Sequence, residues 1–306
     1  MKTLIIINPN AGGNNGVPVW KQHERTLRER FDAVQFSITD SPQAVPEIVG
    51  RAVADGVRRV LSIGGDGTNH SVINAIMQHN AAVPADPVIY GTVPAGTGRD
   101  WARSIGMPLE PGAAIEWLTR AEVCAVDVGH VRFDGQEEYF LNISSAGISN
   151  DVVQRVEASA KRQPWTFLRA ILGSLLYYKP EPVTIWLDGQ QWYDDLIYII
   201  AVANGSTFAQ GMRVAPDAAV NDGLFDVVVV EQMSKPAILR ALPTLYSGTH
   251  VTNPRVHIAQ ASEVRVVSRT GRPLGMDLDG EPGHGQEIVY RIHPGALPVL
   301  MQPKRR

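Results

Sequence analysis

Strand-like and helical patterns alternate over about the first 120 residues, and this alternation constrains the fold more than any other feature. The strand-like apolar runs are residues 3–7, 33–38, 59–63 and 88–93. Helical patterns follow at residues 19–31, 42–55, 68–79 and 110–121. Because parallel strands need long crossover connections, usually helices, this order predicts a three-layer α/β domain with a parallel sheet.

The pattern changes near Cys124, where short alternating runs separated by turn residues begin. Such runs are typical of an antiparallel sandwich or barrel. Helical patterns interrupt them at residues 150–178, where Pro164 breaks the pattern, and at residues 235–247. A chain of 306 residues favours two domains. We therefore predict an α/β domain at residues 1–122 and an all-β sandwich with a few helices at residues 123–295.

Composition excludes several classes of protein. The chain has 28 basic and 31 acidic residues, and its net charge of -3 does not favour nucleic-acid binding. A single cysteine excludes an intrachain disulfide framework and a cysteine-based zinc site. The apolar run after Lys2 is too short for a signal peptide, and no segment approaches the roughly 20 apolar residues of a membrane span. A cytoplasmic enzyme is the expectation.

The sequence GGDGT at residues 64–68 lies between the third strand and the helix after it. Glycines allow backbone N–H groups to approach a ligand, and a helix N-terminus favours phosphate. Asp66 would repel a bare phosphate, but a Mg²⁺ ion between the two would join them. The loop therefore suggests a nucleoside triphosphate site with a metal. The alternative is a left-handed glycine turn in which Asp66 caps the helix.

Two further small-residue loops follow the first and fourth strands. They read NPNAG at residues 8–12 and PAGTGRD at residues 94–100. The carboxyl ends of parallel strands lie at one edge of a sheet, so the three loops should converge there. The chain has neither a Walker A loop nor the dinucleotide-binding GxGxxG fingerprint.

These motifs together resemble the diacylglycerol kinase catalytic-domain family, and most closely its small soluble bacterial lipid kinases. Two C-terminal motifs extend the resemblance over nearly the whole chain: NDGLFDVVVVE at residues 221–231 and DLDGEP at residues 277–282. GGDGT alone is shared with NAD kinases. The resemblance implies a nucleotide-binding α/β domain, completed by residues 296–306, and a β-sandwich for the lipid acceptor. It implies an active site in the cleft between them.

By position, the resemblance implies roles for individual residues. The nucleotide-binding set is Asn8, Pro9, Asn10, Ala11, Gly12, Thr39, Gly64, Gly65, Asp66, Gly67, Thr68, Asn69, His70 and Thr97. Asp66 and Asp100 would hold the catalytic Mg²⁺, partly through water. A structural Mg²⁺ would be bound by Asp222 and by the backbone carbonyls of Ala219 and Leu224. Glu281 matches the family's proton acceptor, and with Asp66 it forms the catalytic pair.

Without the resemblance, Asp222-Gly223 indicates a hairpin turn and Glu281 a solvated turn acid. The chain also departs from the family pattern. Where the family usually continues GGDGT with Leu-Asn-Glu-Val, this chain has Asn-His-Ser-Val, so His70 and Ser71 replace the usual Asn and Glu. Arg99 stands where Asn is usual, either to contact phosphate or to face solvent.

The acceptor should be decided by the second domain. One segment has apolar residues at helical spacing: Trp165, Leu168, Leu172, Leu175 and Leu176. One interpretation is an exposed apolar face that receives an acyl chain or rests on a membrane surface. The other is a helix that packs on the sandwich. The basic run at residues 304–306 is short, so membrane contact should be weak and transient.

We therefore expect an ATP- and Mg²⁺-dependent lipid kinase of phospholipid metabolism, acting on a diacylglycerol-like hydroxyl from the cytoplasm at the inner membrane. A NAD kinase-like enzyme stays open, although the Asn-Glu pair usual in NAD kinases is absent from the sequence. A non-catalytic lipid-binding protein also stays open, although Asp66, Asp100, Asp222 and Glu281 are all retained. A homodimer is left open as well.

Overall fold

The computed structural model describes residues 1–159 and 164–302. The chain divides into two compact units. Unit 1 comprises Met1–Val128 with the C-terminal segment from Pro294, and unit 2 comprises Gly129–His293. The prediction of an N-terminal α/β fold and a C-terminal β-sandwich is confirmed.

Unit 1 is built on a parallel sheet of β1 (Lys2–Ile7), β2 (Val34–Ile38), β3 (Val57–Gly64) and β4 (Ile89–Pro94). The strand order is β2-β1-β3-β4, and each adjacent pair is parallel. The last strand, β15 (Glu287–Met301), pairs in parallel with β4 through Val299 and Tyr90. β1, β3 and β4 are almost wholly buried, as expected for strands covered on both faces.

The helices of unit 1 are α1 (Ala11–Asn14), α2 (Gly16–Arg30), α3 (Val45–Ala54), α4 (Asp66–Ala82), α5 (Asp100–Ser104) and α6 (Pro111–Thr119), with a 3₁₀ turn at Pro42–Ala44. The start of α6 follows local chemistry. The carboxylate of Glu110 accepts the N–H of Ala113 at 2.8 Å, and proline occupies the first helical position.

Unit 2 contains antiparallel strands that form the sandwich. They are β5 (Glu122–Phe133), which begins in unit 1, and β6 (Gln136–Phe140), β7 (Ile143–Gly147), β8 (Glu181–Leu187), β9 (Gln190–Ala203), β10 (Phe225–Glu231), β11 (Val256–Ala261), β12 (Glu263–Ser268), β13 (Leu274–Leu278) and β14 (Glu281–Gly285), with the start of β15. The order is β14-β13-β7-β9-β8-β12-β15, with β10 joining β9 to β11. Phe140, Phe225 and Tyr290 lie in its core.

The helices of unit 2 are α7 (Ile148–Glu157), α8 (Pro164–Tyr177) and α9 (Lys235–Ser247), with a 3₁₀ turn at Thr249–Thr252. Pro164 begins α8, as the predicted break requires, and α9 has the predicted bounds. Among the described residues, none of the helices has both the length and the hydropathy that a bilayer crossing requires.

Candidate functional site

The loops after β1, β3 and β4 contact one another at the carboxyl edge of the unit 1 sheet. The Asn8 amide donates to the Thr68 hydroxyl at 3.0 Å, which joins the first loop to the second. The backbone N–H groups of Ala95 and Gly96 both donate to the Gly64 carbonyl, at 2.8 and 3.0 Å, which joins the second loop to the third. The convergence that the sequence predicts is therefore observed.

Glycines make this convergence possible because the loop backbones approach closely. A Cβ atom on Gly12 would lie 2.2 Å from the Ala95 carbonyl oxygen. A Cβ on Gly96 would lie 2.4 Å from the Gly65 Cα. Both separations are shorter than any ordinary van der Waals contact, so each position requires glycine for space.

The carboxylates of Asp66 and Asp100 share one small region at this edge. A Cβ on Gly98 would lie 2.4 Å from Asp66 Oδ2 and 3.4 Å from Asp100 Oδ2, so the two oxygens are separated by no more than the sum of these distances. The N–H groups of Asp100 and Trp101 donate to the Asp66 carboxylate, each at 3.4 Å. Two acids side by side are a suitable donor set for a hard cation.

The backbone at residues 64–68 rules out the alternative interpretation of a left-handed turn. Gly65 is extended, with φ -105° and ψ -171°, and neither Gly64 nor Gly67 has positive φ. Asp66 is the first residue of α4 rather than its cap, and no side chain caps that helix. Space explains Gly64 instead, because a Cβ there would lie 2.5 Å from the Thr68 side chain.

Asn69 and His70, which follow the GGDGT loop in the predicted nucleotide-binding set, are buried. The side-chain Oδ1 of Asn69 accepts hydrogen bonds from the hydroxyls of Ser62 at 2.8 Å and Thr92 at 3.1 Å. His70 is also buried, and its Nε2 lies 3.3 Å from the Asn74 amide. The Asn69 contacts attach the start of α4 to β3 and β4, whereas the His70 contact lies within α4. The sequence analysis missed Ser62 and Thr92, although polar residues inside apolar strands were the available signal.

The other predicted nucleotide residues lie around the first and third loops. Asn8 Oδ1 accepts the Asn10 N–H at 2.9 Å, and the Asn10 amide lies 3.4 Å from the Asp40 carboxylate. Thr39 is half-buried after β2, and its hydroxyl accepts the Ser41 N–H at 3.1 Å. Thr97 is exposed. The first loop is completed by Pro9 and Ala11.

Arg99 binds backbone carbonyl groups, one of them in its own loop, instead of simply facing solvent. It adopts the left-handed region, with φ 57°, immediately before α5. Its guanidinium donates to the carbonyls of Gly96 at 2.8 Å and Leu109 at 2.9 Å, and so stabilises the third loop. The cation beside Asp100 is instead Arg103, 3.4 Å from its carboxylate, which the sequence analysis did not single out.

In unit 2, Asp222 lies in the segment just before β10. Its carboxylate accepts the Leu224 N–H at 3.1 Å. Burial raises the pKa of Asp226, a hydrogen bond with the Gln260 side chain partly offsets this, and the nearby charges of Asp222 and Asp217 raise that pKa further. Asp226 Oδ2 is buried and has no hydrogen-bond partner within residues 1–159 and 164–302. A bound cation would relieve both the repulsion and the unpaired oxygen.

The implied structural Mg²⁺ ligands fit this region by their chemistry, since they combine the Asp222 carboxylate with the carbonyls of Ala219 and Leu224. In the part of the chain that the structure describes, no group of three or more His, Cys, Asp and Glu side chains is placed to hold a metal. A Mg²⁺ ion needs only one or two carboxylates when carbonyls, water or phosphate complete its shell.

Glu281 begins β14 directly after a tight turn, not within an irregular loop. Asp279 and Gly280 both have positive φ, at 50° and 97°, as a type I′ hairpin requires. The Asp279 carboxylate accepts three backbone N–H groups, those of residues 141, 142 and 143, at 2.7, 3.1 and 2.9 Å. Asp277 accepts the Gly280 N–H at 2.8 Å. The sequence analysis missed both anchoring acids, although they belong to the motif that it quoted.

Comparison with known proteins decides the family. Residues 142–301 match the sequence model described as the YegS C-terminal NAD kinase beta sandwich-like domain, and residues 2–131 match that of the diacylglycerol kinase catalytic domain. The chain belongs to the family of diacylglycerol kinases and YegS-like lipid kinases. The resemblance found in the sequence is thus confirmed, and the chain is an enzyme of the lipid kinase class, a phosphotransferase.

Similar proteins cover the chain almost completely. It is 28% identical over 300 residues to a probable lipid kinase YegS-like of Stenotrophomonas maltophilia, covering 96% of this chain and 94% of that protein. It is 29% identical over 307 residues to a diacylglycerol kinase of Mycobacterium tuberculosis, covering 98% and 94%. A crystal structure of a diacylglycerol kinase from Bacillus anthracis has the same fold, with TM-score 0.74, 21% identity and coverage of 99% and 97%.

Proposed function

We propose that this kinase uses ATP and Mg²⁺ to transfer the γ-phosphoryl group to a hydroxyl of a diacylglycerol-like lipid. Family membership supports the reaction class, and the names of the relatives support the acceptor. The observation that carries the proposal is the pair of carboxylates, Asp66 and Asp100, beside Gly98 at the edge where three loops meet. A single carboxylate in a glycine turn would not by itself support a metal-dependent phosphoryl transfer.

The donor site follows from the chemistry of this edge. Asp66 and Asp100 would hold a Mg²⁺ ion whose remaining ligands are water and phosphate oxygens. When bound, the ion supplies neutralisation of the charge that develops on the transferred group. α4 has 17 residues and begins at Asp66, so its N-terminal partial positive charge is located at the same place. The loop backbones and this helix end orient the phosphates.

The acceptor side depends on Glu281, which we assign as the group that accepts the proton of the lipid hydroxyl. Phosphoryl transfer asks the protein mainly for alignment and charge neutralisation, so the position of this carboxylate matters more than its basicity. Asp279 fixes the turn that carries it. Asp222, with the Ala219 and Leu224 carbonyls, would hold a structural Mg²⁺ in the same unit.

The acceptor class fixes the setting of the enzyme. A diacylglycerol-like acceptor resides in a bilayer, so the protein would act from the cytoplasm with transient contact at the inner membrane and would serve phospholipid metabolism. A NAD kinase-like activity would instead need only a water-soluble acceptor. The two activities are therefore separated by the acceptor alone, with the donor site common to both.

The test is a phosphate-transfer assay with radiolabelled ATP, in which lipids in mixed micelles are compared with NAD, with and without Mg²⁺. We expect label in lipid only when Mg²⁺ is present, and loss of that label in Asp66→Asn. Asp32→Asn, an exposed acid of unit 1 outside the loops, is the matched control and should keep full activity. Label in NAD but not in any lipid would overturn the proposed acceptor.

A further inference from the structure

The solvent-facing side of α8 carries leucines where a surface helix normally has polar residues. Leu168, Leu172 and Leu176 follow at four-residue spacing and are 50%, 39% and 64% exposed. The opposite side packs into unit 2 through Ala170, Ile171 and Leu175. The predicted packing of this helix is therefore observed on one face, and the other face leaves these three leucines exposed. The predicted Trp165 side chain lies outside the described residues.

The neighbouring helix α9 extends this apolar surface. Its inner side joins the same buried cluster as α8, and the Lys235 ammonium donates to the Leu176 carbonyl at the end of α8. On its outer side, Leu239 and Tyr246 are 45% and 51% exposed. We call Leu168, Leu172, Leu176, Leu239 and Tyr246 the helical patch. Grouped exposed apolar side chains of this kind mark interaction surfaces.

The charged side chains of α8 and α9 indicate which kind of partner the helical patch would bind. Neither the 14 residues of α8 nor the 13 residues of α9 include Asp or Glu, although the whole chain has 31 such residues. Their charged side chains are Arg169, Lys235 and Arg240, all of which are exposed. Apolar side chains among basic ones, without acids, match the chemistry of an anionic lipid surface.

A second copy of the chain fits this surface poorly. A two-fold interface places the same patch on both partners, so the cations Arg169, Lys235 and Arg240 of one copy would face a patch that carries the same cations. Like charges placed together across an interface oppose association, and neither helix offers a carboxylate to pair with them. The same three cations would be favoured next to anionic headgroups.

We infer that the helical patch is the surface through which the kinase binds an anionic bilayer, with the leucines entering the interface and the cations contacting headgroups. This inference rests on the proposed function, because a lipid acceptor supplies the reason for bilayer contact. The contact is interfacial, and it brings the enzyme to its acceptor at the bilayer surface.

The test is sedimentation of the whole protein with vesicles of phosphatidylcholine alone or mixed equally with phosphatidylglycerol. We expect binding to the mixed vesicles only, weakened by salt. The triple variant Leu168→Gln, Leu172→Gln, Leu176→Gln should lose at least about tenfold in partitioning. Val83→Gln, an exposed apolar position of unit 1, is the control and should bind as the wild type does.

Activity separates this inference from the proposed function. The triple variant should retain wild-type turnover of a short-chain, monomeric diacylglycerol and lose activity only on vesicles. Equal vesicle binding by the triple variant and the wild type would overturn the inference while leaving the lipid kinase activity intact. A wild type that sediments as a dimer and a triple variant that sediments as a monomer, with no vesicle binding by either, would overturn it in favour of self-association. Vesicle binding without phosphorylation of any lipid would refute the proposed function alone.

Discussion

Replacing Gly98 by alanine tests the geometry of the two acids, because the substitution adds a single methyl group where the carboxylates lie. The new Cβ would be 2.4 Å from Asp66 Oδ2, whereas an ordinary contact starts at 3.4 Å. The Asp66 carboxylate must therefore move by about 1 Å, and a displacement of that size costs about 10²-fold in rate. Gly98 lacks positive φ, so the backbone itself tolerates alanine.

The assay is lipid phosphorylation in mixed micelles as a function of Mg²⁺ concentration. Gly98→Ala should lower kcat by about 10²-fold and raise the Mg²⁺ concentration needed for half-maximal rate. Overpacking should reduce the free energy of unfolding by about 1–3 kcal/mol. Gly50→Ala is the matched control, because a Cβ there meets nothing within 4 Å in α3. It should keep full activity and stabilise the protein by about 0.5–1 kcal/mol.

One result would refute this reasoning. If Gly98→Ala folds normally and keeps wild-type kcat and Mg²⁺ dependence, the position of the Asp66 carboxylate does not matter to the reaction. The assignment of Asp66 and Asp100 as the cation site would then be wrong. A loss of activity that tracks only the fraction of unfolded protein would contradict it as well.

The remaining predictions concern unit 2. Glu281→Gln should lower kcat with little change in ATP affinity, measured by calorimetry; a large loss of ATP binding would mean that its role is misassigned. Asp279→Ala leaves three backbone N–H groups without their carboxylate and should cost about 2–4 kcal/mol in chemical denaturation, which an unchanged midpoint would contradict. Burial raises the pKa of the Asp188 carboxyl, but hydrogen bonds from the Ser262 hydroxyl and from the N–H groups of Ser262 and Glu263 together lower that pKa below its usual range. The stabilisation is therefore present at neutral pH and lost as pH falls through the folded-state pKa. The difference in Tm between wild type and Asp188→Asn should shrink in acid, and a pH-independent difference would exclude this mechanism.

Most of the fold could be predicted from the sequence because its signals are local. The period of the apolar pattern identified the parallel strands of unit 1, and the bounds of α9 were found at Lys235 and Ser247. Element ends shifted by a few residues where the pattern weakens, as at α4, which begins at Asp66 rather than at residue 68. Pro164 located the break between α7 and α8.

For the candidate site, the sequence names residues but not their contacts, and the roles of those residues stay predictions. The sequence identified Asp66 and Asp100, but the reason for Gly98 is a distance to an acid 32 positions earlier in the chain, which no local pattern reports. The buried position of Asn69 depends on strands that pack beneath it. Arg99 could not be assigned from sequence because its partners are backbone carbonyls.

The central claim is that Asp66 and Asp100 hold a divalent cation together with the nucleotide. Electron paramagnetic resonance with Mn²⁺ as a substitute for Mg²⁺ tests it most directly, by titrating the whole protein with and without ADP. The account predicts a bound Mn²⁺ that requires ADP, and whose affinity falls at least about tenfold in Asp66→Asn and in Asp100→Asn but not in Asp222→Asn. An ADP-dependent Mn²⁺ that binds equally well in all three variants would contradict it.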